Sequence, residues 1–249
     1  MQEKRVRLVE RLKGKCLRLL ANNSFYRVKI DASIHLVDLF FTFIKLFVGY
    51  VRGLLKARRW VVLGAHVDIT CSRMLAVGKA VRIGGYTQLN CWGQSGLNIG
   101  DRSSIGRFSL LSVSGSLANP GKGIDIGENV GIGDFAHIGG SGGVRIGDDT
   151  ITGAYLSIHP ENHNFADSGL PIRLQGISRM GITIGSGCWI GAKVTILDGA
   201  VLGDGCVVAA GAVVRGCFPD NSVIAGVPAR VIRRRDGEFV SSRMGKDAQ

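Results

Sequence analysis

The residues best suited to chemistry are two histidines four positions apart, His159 and His163. A neutral imidazole can accept a proton from a hydroxyl near pH 7, so either histidine is a candidate general base. Such a histidine needs a partner that fixes its tautomer, and the carboxylates of Glu161 and Asp167 lie in the same segment. The sequence alone leaves these two carboxylates and a backbone carbonyl as alternatives.

The two histidines interrupt a six-residue repeat. An aliphatic residue recurs at every sixth position in groups of three from Val77 to Val214, with Thr152 as the exception, and glycine follows in twelve of eighteen cases. Three short strands per coil, each with one inward aliphatic side chain, would stack into a triangular prism. Between Ile158 and Ile184 the interval is 26 residues instead of six. Residues 159–181 are therefore predicted to form a loop that projects from the prism.

The first 60 residues are basic and apolar. They hold fourteen Lys and Arg against four Asp and Glu, so most of the net charge of +12 lies there. Apolar residues at helical spacing predict an amphipathic helix over residues 34–51. Asp38 and Lys45 interrupt it, which favours a helix lying in an anionic membrane interface over one that spans a bilayer. Packing on the prism or on a partner subunit is the alternative, and no recognition motif points to nucleic acid.

The segment from His159 to Arg235 resembles the hexapeptide-repeat acyltransferases, especially the polysaccharide and lipopolysaccharide O-acetyltransferases and the maltose-type acetyltransferases. The motifs that carry this resemblance are NHNF at 162–165, GSGCWIGA at 185–192, AGAVV at 210–214 and IAGVPARVI at 224–232. The resemblance implies a left-handed coil, a homotrimer, and acyl-CoA in a groove between adjacent prisms. It places His163 at the family's catalytic histidine, while the His159-Pro160 dipeptide keeps His159 as a competitor.

The resemblance also implies roles for other residues. The amides of Asn162 and Asn164, or a backbone N–H, would stabilise the oxyanion, although turn formation explains both asparagines equally well. Small residues would let the pantetheine arm approach the backbone, and cations would hold the phosphates. The predicted acetyl-CoA residues are Trp189, Gly191, Ala192, Lys193, Ala210, Gly211, Arg230 and Arg233.

The sequence therefore predicts a mainly β chain, a left-handed parallel β-helix with an N-terminal helical, amphipathic segment. The predicted divisions are a helical segment at 1–60, an acyltransferase domain at 61–232 with the loop 159–181, and a tail at 233–249. The expected function is acetyl transfer from acetyl-CoA to a sugar hydroxyl in surface-polysaccharide or lipid-linked glycan biosynthesis, with no metal. The alternatives are a serine acetyltransferase-like enzyme, a non-catalytic scaffold and, on His137, His159 and His163, a zinc carbonic anhydrase-like protein. With free thiols and no signal peptide, we expect a cytoplasmic protein on the inner face of the membrane.

Overall fold

The structure, a computed structural model, describes residues 35–116 and 118–237. The parts of the predicted N-terminal segment before residue 35 and of the predicted tail after residue 237 lie outside the described residues.

Twenty-five short strands follow one helix in the described chain. The first thirteen are β1 Val62–Leu63, β2 Asp68–Thr70, β3 Leu75–Val77, β4 Arg82–Ile83, β5 Gln88–Asn90, β6 Leu97–Ile99, β7 Ser104–Ile105, β8 Leu110–Ser112, β9 Ile124–Ile126, β10 Gly131–Ile132, β11 His137–Gly139, β12 Val144–Ile146 and β13 Ile151–Thr152. The others are β14 Ser157–His159, β15 Asn162–His163, β16 Ile177–Ser178, β17 Ile182–Ile184, β18 Trp189–Ile190, β19 Thr195–Leu197, β20 Val201–Leu202, β21 Val207–Val208, β22 Val213–Val214, β23 Cys217–Phe218, β24 Ser222–Gly226 and β25 Ala229–Arg234. Short 3-10 helices cover Ser72–Met74 and Ile172–Leu174.

The strands form the three walls of a β-helix. Sheet 1 has the order β1-β4-β7-β10-β13-β18-β21-β24-β25, sheet 2 the order β2-β5-β8-β11-β14-β19-β22, and sheet 3 the order β23-β20-β17-β12-β9-β6-β3. All pairings within these sheets are parallel, except that β25 folds back antiparallel on β24. The chain visits each wall once per coil, so the predicted mainly β fold, a parallel β-helix, is confirmed.

Aliphatic side chains fill the interior in columns. In sheet 1, for example, Ile83, Ile105 and Ile132 lie in register on successive coils and are buried. Burying one such side chain contributes about 1.5–3 kcal/mol, so stability comes from stacking one coil on the next. Thr152 takes its place in the same column because its hydroxyl accepts a hydrogen bond from the Gly133 N–H at 3.1 Å.

Helix α1 (Leu36–Lys56) lies at the N-terminal end of the β-helix and ends beyond the predicted boundary at residue 51. It contains no proline and is rich in leucine, a good helix former. A Cβ on Gly49 would lie 2.6 Å from Val62 Cγ1, and one on Gly53 would collide with the carbonyl oxygen of Val61. These two glycines therefore let the helix backbone lie directly against β1. Among the described residues, no helix has the length and apolar character needed to cross a membrane.

A column of stacked rings follows the corner between sheets 1 and 2. His66, Tyr86, Phe108, Phe135 and Tyr155 occupy this corner on successive coils, with ring centroids 4.8 to 5.1 Å apart. All five residues have φ between 54° and 62°. That left-handed conformation costs a non-glycine residue about 1–2 kcal/mol. Each stacked pair returns about 0.5–1.5 kcal/mol, so the stacking offsets much of the cost.

Candidate functional site

The predicted projecting loop is built around a hairpin. Strands β15 and β16 pair antiparallel, with Asn162 opposite Ser178 and His163 opposite Ile177. The hairpin leaves the prism after β14 in sheet 2 and returns at β17 in sheet 3. It therefore holds His163 away from the β-helix, on the corner between sheets 2 and 3.

A buried carboxylate anchors both ends of this hairpin. Asp198, only 6% exposed, accepts hydrogen bonds from the backbone N–H of Met180 at 3.0 Å and of Gly181 at 2.8 Å. Its other oxygen accepts one from Asn162 Nδ2 at 3.5 Å. Hydrogen bonds to a charged acceptor are stronger than neutral ones, so Asp198 ties the outgoing strand to the returning chain.

A partly buried guanidinium provides a second anchor. The Arg179 side chain, 16% exposed, pairs through Nε with Glu161 Oε2 at 3.2 Å. Its Nη1 donates to Asn119 Oδ1 at 2.9 Å and to the Pro120 carbonyl at 3.4 Å. Arg179 thus joins the hairpin base to the loop between β8 and β9.

His163 itself is exposed on β15. Within residues 35–116 and 118–237 its ring makes no hydrogen bond. The carboxylate of Glu161 is engaged by Arg179, and Asp167 Oδ1 accepts from the Gly169 N–H at 2.8 Å. Neither of the two predicted orienting carboxylates therefore contacts His163 in this conformation.

His159 has better-defined surroundings. Its Nε2 lies 2.8 Å from Ser157 Oγ, and its ring centroid lies 5.3 Å from that of His137. Partial burial of the ring, and then repulsion from His159, lower the pKa of His137. Ser157 was not predicted at the candidate site, and His137 was considered there only as a ligand in the zinc alternative. The repeat could have shown that these two residues are neighbours, because each directly precedes an inward isoleucine. In the structure they lie opposite each other on β11 and β14.

The predicted oxyanion amides are used within the hairpin. Asn162 donates to Asp198, as described, and Asn164 Nδ2 donates to the Gln175 carbonyl at 3.0 Å. Gln175 in turn bonds the backbone of Asp167 from both of its amide atoms, at 3.0 Å and 2.6 Å. These contacts give both asparagines a structural function in shaping the hairpin.

The residues predicted to bind acetyl-CoA lie on another side of the prism. Trp189 is 56% exposed on sheet 1, where it is in register with Ile151. Lys193 has φ 58° and occupies the position on the next coil that corresponds to Tyr155, at the corner that carries the stacked rings. Ala210 and Gly211 are exposed at the same corner one coil later.

Gly191 is buried, and a Cβ there would lie 2.5 Å from the Ala210 amide nitrogen. The stacking of the coils by itself therefore requires glycine at position 191. Ala192 is the next residue in the chain. Arg230 and Arg233 are exposed on β25 and donate only to the backbone carbonyls of Ala229 and Arg234. Their guanidinium groups have no carboxylate partner among the described residues and suit phosphate groups.

The histidines and the predicted acetyl-CoA residues are thus not brought together in one chain. The histidines lie at the corner of sheets 2 and 3, while the other set lies on sheet 1 and at the corner of sheets 1 and 2. Sheet 2 separates them. In the described part of the chain, no three side chains of the His, Cys, Asp or Glu type are grouped as metal ligands.

Comparison with known families identifies the repeat. Residues 181–216 match the family described as bacterial transferase hexapeptide (six repeats). The Escherichia coli protein named as the lipopolysaccharide biosynthesis O-acetyl transferase WbbJ is 36% identical over 118 residues, covering 45% of this chain and 60% of the relative. A probable acetyltransferase of Mycobacterium tuberculosis is 32% identical over 188 residues, covering 74% and 53%. The galactoside O-acetyltransferase of Escherichia coli is 37% identical over 94 residues, covering 36% and 43%.

This chain spans three fifths or less of the length of those three relatives. Among solved structures, a mutant of the N-acyltransferase AntD of Bacillus cereus, in complex with dTDP and coenzyme A, is 19% identical with a TM-score of 0.49. The match covers 70% of this chain and 81% of AntD.

Proposed function

We propose that this chain is an acetyl-CoA-dependent O-acetyltransferase of the hexapeptide-repeat class, whose repeat residues 181–216 match. The acceptor is a sugar hydroxyl in surface-polysaccharide or lipid-linked glycan biosynthesis. The observation that carries the proposal is the anchored hairpin, which holds a histidine-bearing strand out from an otherwise regular repeat. The similarity to named O-acetyltransferases supports the reaction class.

The chemistry needs one group that moves a proton. Acetyl-CoA supplies an activated thioester, and the imidazole of His163 accepts the proton of the sugar hydroxyl as its oxygen attacks the acetyl carbonyl carbon. A backbone N–H or the amide of Asn162 or Asn164 would hold the negative oxygen that results. The carbon–sulfur bond then breaks, and the imidazolium returns the proton to the departing thiolate. No covalent enzyme intermediate is needed.

His159 is the competing base. Its contact with Ser157 Oγ gives its ring the fixed orientation that His163 lacks among the described residues. His163 has the family's motif position and a ring free to meet an acceptor, and catalytic hydrogen bonds often tighten only once substrates are bound. Single variants of each histidine separate the two assignments.

Separation of the two residue sets supports a homotrimer. One prism presents the histidines at one corner and Trp189, Arg230 and Arg233 on sheet 1, with sheet 2 between them. A neighbouring copy can bring its own sheet 1 to the histidine corner of the first. We therefore place each active site between two copies of the chain.

Helix α1 supports a peripheral position on an anionic membrane. Phe40, Phe47 and Leu55 are 61%, 70% and 77% exposed, so these side chains do not pack on the β-helix of their own chain. Lys45 and Arg52 on the same helix suit an anionic surface. The acceptor would then be reached at the inner face of the membrane.

The test combines calorimetry of acetyl-CoA binding with thiol release over a panel of sugar acceptors, on the wild type, His163→Ala and His159→Ala. We expect all three to bind acetyl-CoA and His163→Ala to lose about 10²- to 10⁴-fold in turnover. The same loss in His159→Ala alone would move the base to His159. Absence of acetyl-CoA binding by a folded wild type would refute the enzyme and leave a scaffold.

A further inference from the structure

A groove lies between helix α1 and the outer face of sheet 1. It measures about 700 Å³ and is open along one side. The helix packs against β1 and the residue before it at Gly49 and Gly53. Its earlier turns and the outer face of sheet 1 form the two sides of the groove. The helix side of the groove carries Ile44, Lys45, Val48 and Arg52, and the sheet side includes Val62 and Arg82. This groove is remote from the hairpin and belongs to neither residue set of the proposed active site.

The groove has an excess of positive charge. Of its four cations, Arg107 pairs with Asp134 Oδ2 at 3.4 Å. Lys45, Arg52 and Arg82 make no side-chain hydrogen bond or salt bridge with any residue in the described ranges. Three cations that have no partner among the described residues surround one groove and repel each other, and an anion between them would reduce that repulsion.

The same groove has an apolar part. Ile44 and Val48 are 41% and 37% exposed along its helix side, and Val62 is half-buried across from them. A purely polar anion would leave these side chains in water. An amphiphile satisfies both parts at once, because its head pairs with the cations while its chain covers aliphatic surface.

We propose that this groove binds the head group and first chain segment of one anionic glycerophospholipid. The phosphate lies between Arg52 and Arg82, and the acyl chain runs along Ile44 and Val48 toward the exposed phenylalanines of α1. Exposed Phe40 and Phe41 precede Ile44 by four and three residues, so they are its neighbours on the helix surface. This exposed apolar surface beside the groove favours a membrane lipid over a second copy of the chain. The inference rests on the proposed membrane association and requires no catalysis.

The test uses the full chain and two kinds of vesicle, phosphatidylcholine alone and equal parts of phosphatidylcholine and phosphatidylglycerol. The variant is Arg52→Gln with Arg82→Gln, and the matched control is Arg145→Gln with Arg73→Gln, which removes the same charge away from the groove. We expect the groove variant to bind the phosphatidylglycerol vesicles about tenfold or more weakly than wild type, and the control about twofold. Arg52→Gln alone, which leaves the β-helix unchanged, should show part of the loss.

A short-chain phosphatidylglycerol below its micelle concentration gives the second readout. Wild type and control should bind one molecule per chain, and the groove variant should not. Equal losses in the groove variant and the control, with vesicle binding otherwise intact, would overturn the site while leaving membrane association in place. A change of oligomeric mass in the groove variant without any loss of lipid binding would also overturn it and assign the groove to a second copy.

Discussion

Replacing Asp198 with alanine should release the hairpin from the β-helix. The substitution removes the acceptor of the Met180 and Gly181 N–H groups and of the Asn162 amide. A hydrogen bond to a charged group contributes about 1.5–3 kcal/mol, and each buried donor left without a partner costs about 1–3 kcal/mol. With partial rehydration of the three donors, we expect the hairpin to lose about 3–5 kcal/mol of local stability.

Hydrogen exchange measured peptide by peptide is the direct assay. Amides of residues 160–181 should exchange about 100-fold faster or more in Asp198→Ala, since 1.4 kcal/mol corresponds to a factor of ten. Coils distant from the hairpin should keep their wild-type rates. Asp198→Asn retains one acceptor oxygen, so its hairpin amides should exchange at rates between those of the wild type and Asp198→Ala. The matched control is Asp204→Ala, because Asp204 is an exposed carboxylate that accepts one backbone bond, from Ser186 at 2.7 Å.

The same variant should lower kcat, with little change in the affinity for acetyl-CoA, because the anchor positions His163 and touches no part of the cofactor set. Unchanged exchange in the hairpin of Asp198→Ala would refute the anchoring role. Faster exchange with full turnover would instead show that the hairpin does not position the base.

Three further predictions concern the β-helix itself. In urea titrations, Phe135→Ala should destabilise the fold by about 1–3 kcal/mol, because the ring loses its two stacked neighbours. Phe135→Gly should destabilise it by less, because glycine adopts positive φ without strain. Equal stability of the wild type and Phe135→Ala would contradict this prediction. The pKa of His137 is lower in the folded state than in the unfolded chain, where it is about 6.5. The free energy of unfolding of the wild type should therefore fall as the pH drops below about 6.5, and His137→Gln should reduce that fall. Parallel pH profiles of the two proteins would count against this prediction. Burial raises the pKa of the Cys91 thiol to about 12. At neutral pH, iodoacetamide should therefore label the exposed Cys217 and leave Cys91 unmodified until the protein unfolds. Peptide mass spectrometry would show which cysteine is labelled.

The fold could be predicted because its signal is periodic. Each coil repeats the same inward aliphatic position, so columns such as Ile83, Ile105 and Ile132 follow from counting residues. The projecting segment was predicted for the same reason, as a break in that count. The stacked rings were missed because each one appears singly among unrelated residues and becomes a column only once coil lengths are known.

The site was less predictable, because its contacts cross long intervals of sequence. Asp198 lies 36 positions from Asn162, and Arg179 lies 60 positions from Asn119. Neither pair has a spacing that a motif could reveal. The roles predicted for Glu161 and Asp167 came from proximity in sequence, and in the structure these carboxylates satisfy nearer donors. The apolar helix was predicted correctly as a helix, but the sequence could not show that its phenylalanines stay off the β-helix.

The central claim, an acyltransferase site shared between two copies, is tested most directly by complementation. One variant lacks both candidate bases (His159→Ala with His163→Ala), and the other lacks the phosphate cations (Arg230→Gln with Arg233→Gln). Each alone should show little thiol release from acetyl-CoA with a sugar acceptor. After dissociation and reassembly as an equal mixture, about a quarter of the sites should combine an intact histidine corner with an intact sheet 1, and activity should return to that level. Mixed oligomers that form, as native mass spectrometry would show, yet remain as inactive as the parents would contradict the shared site.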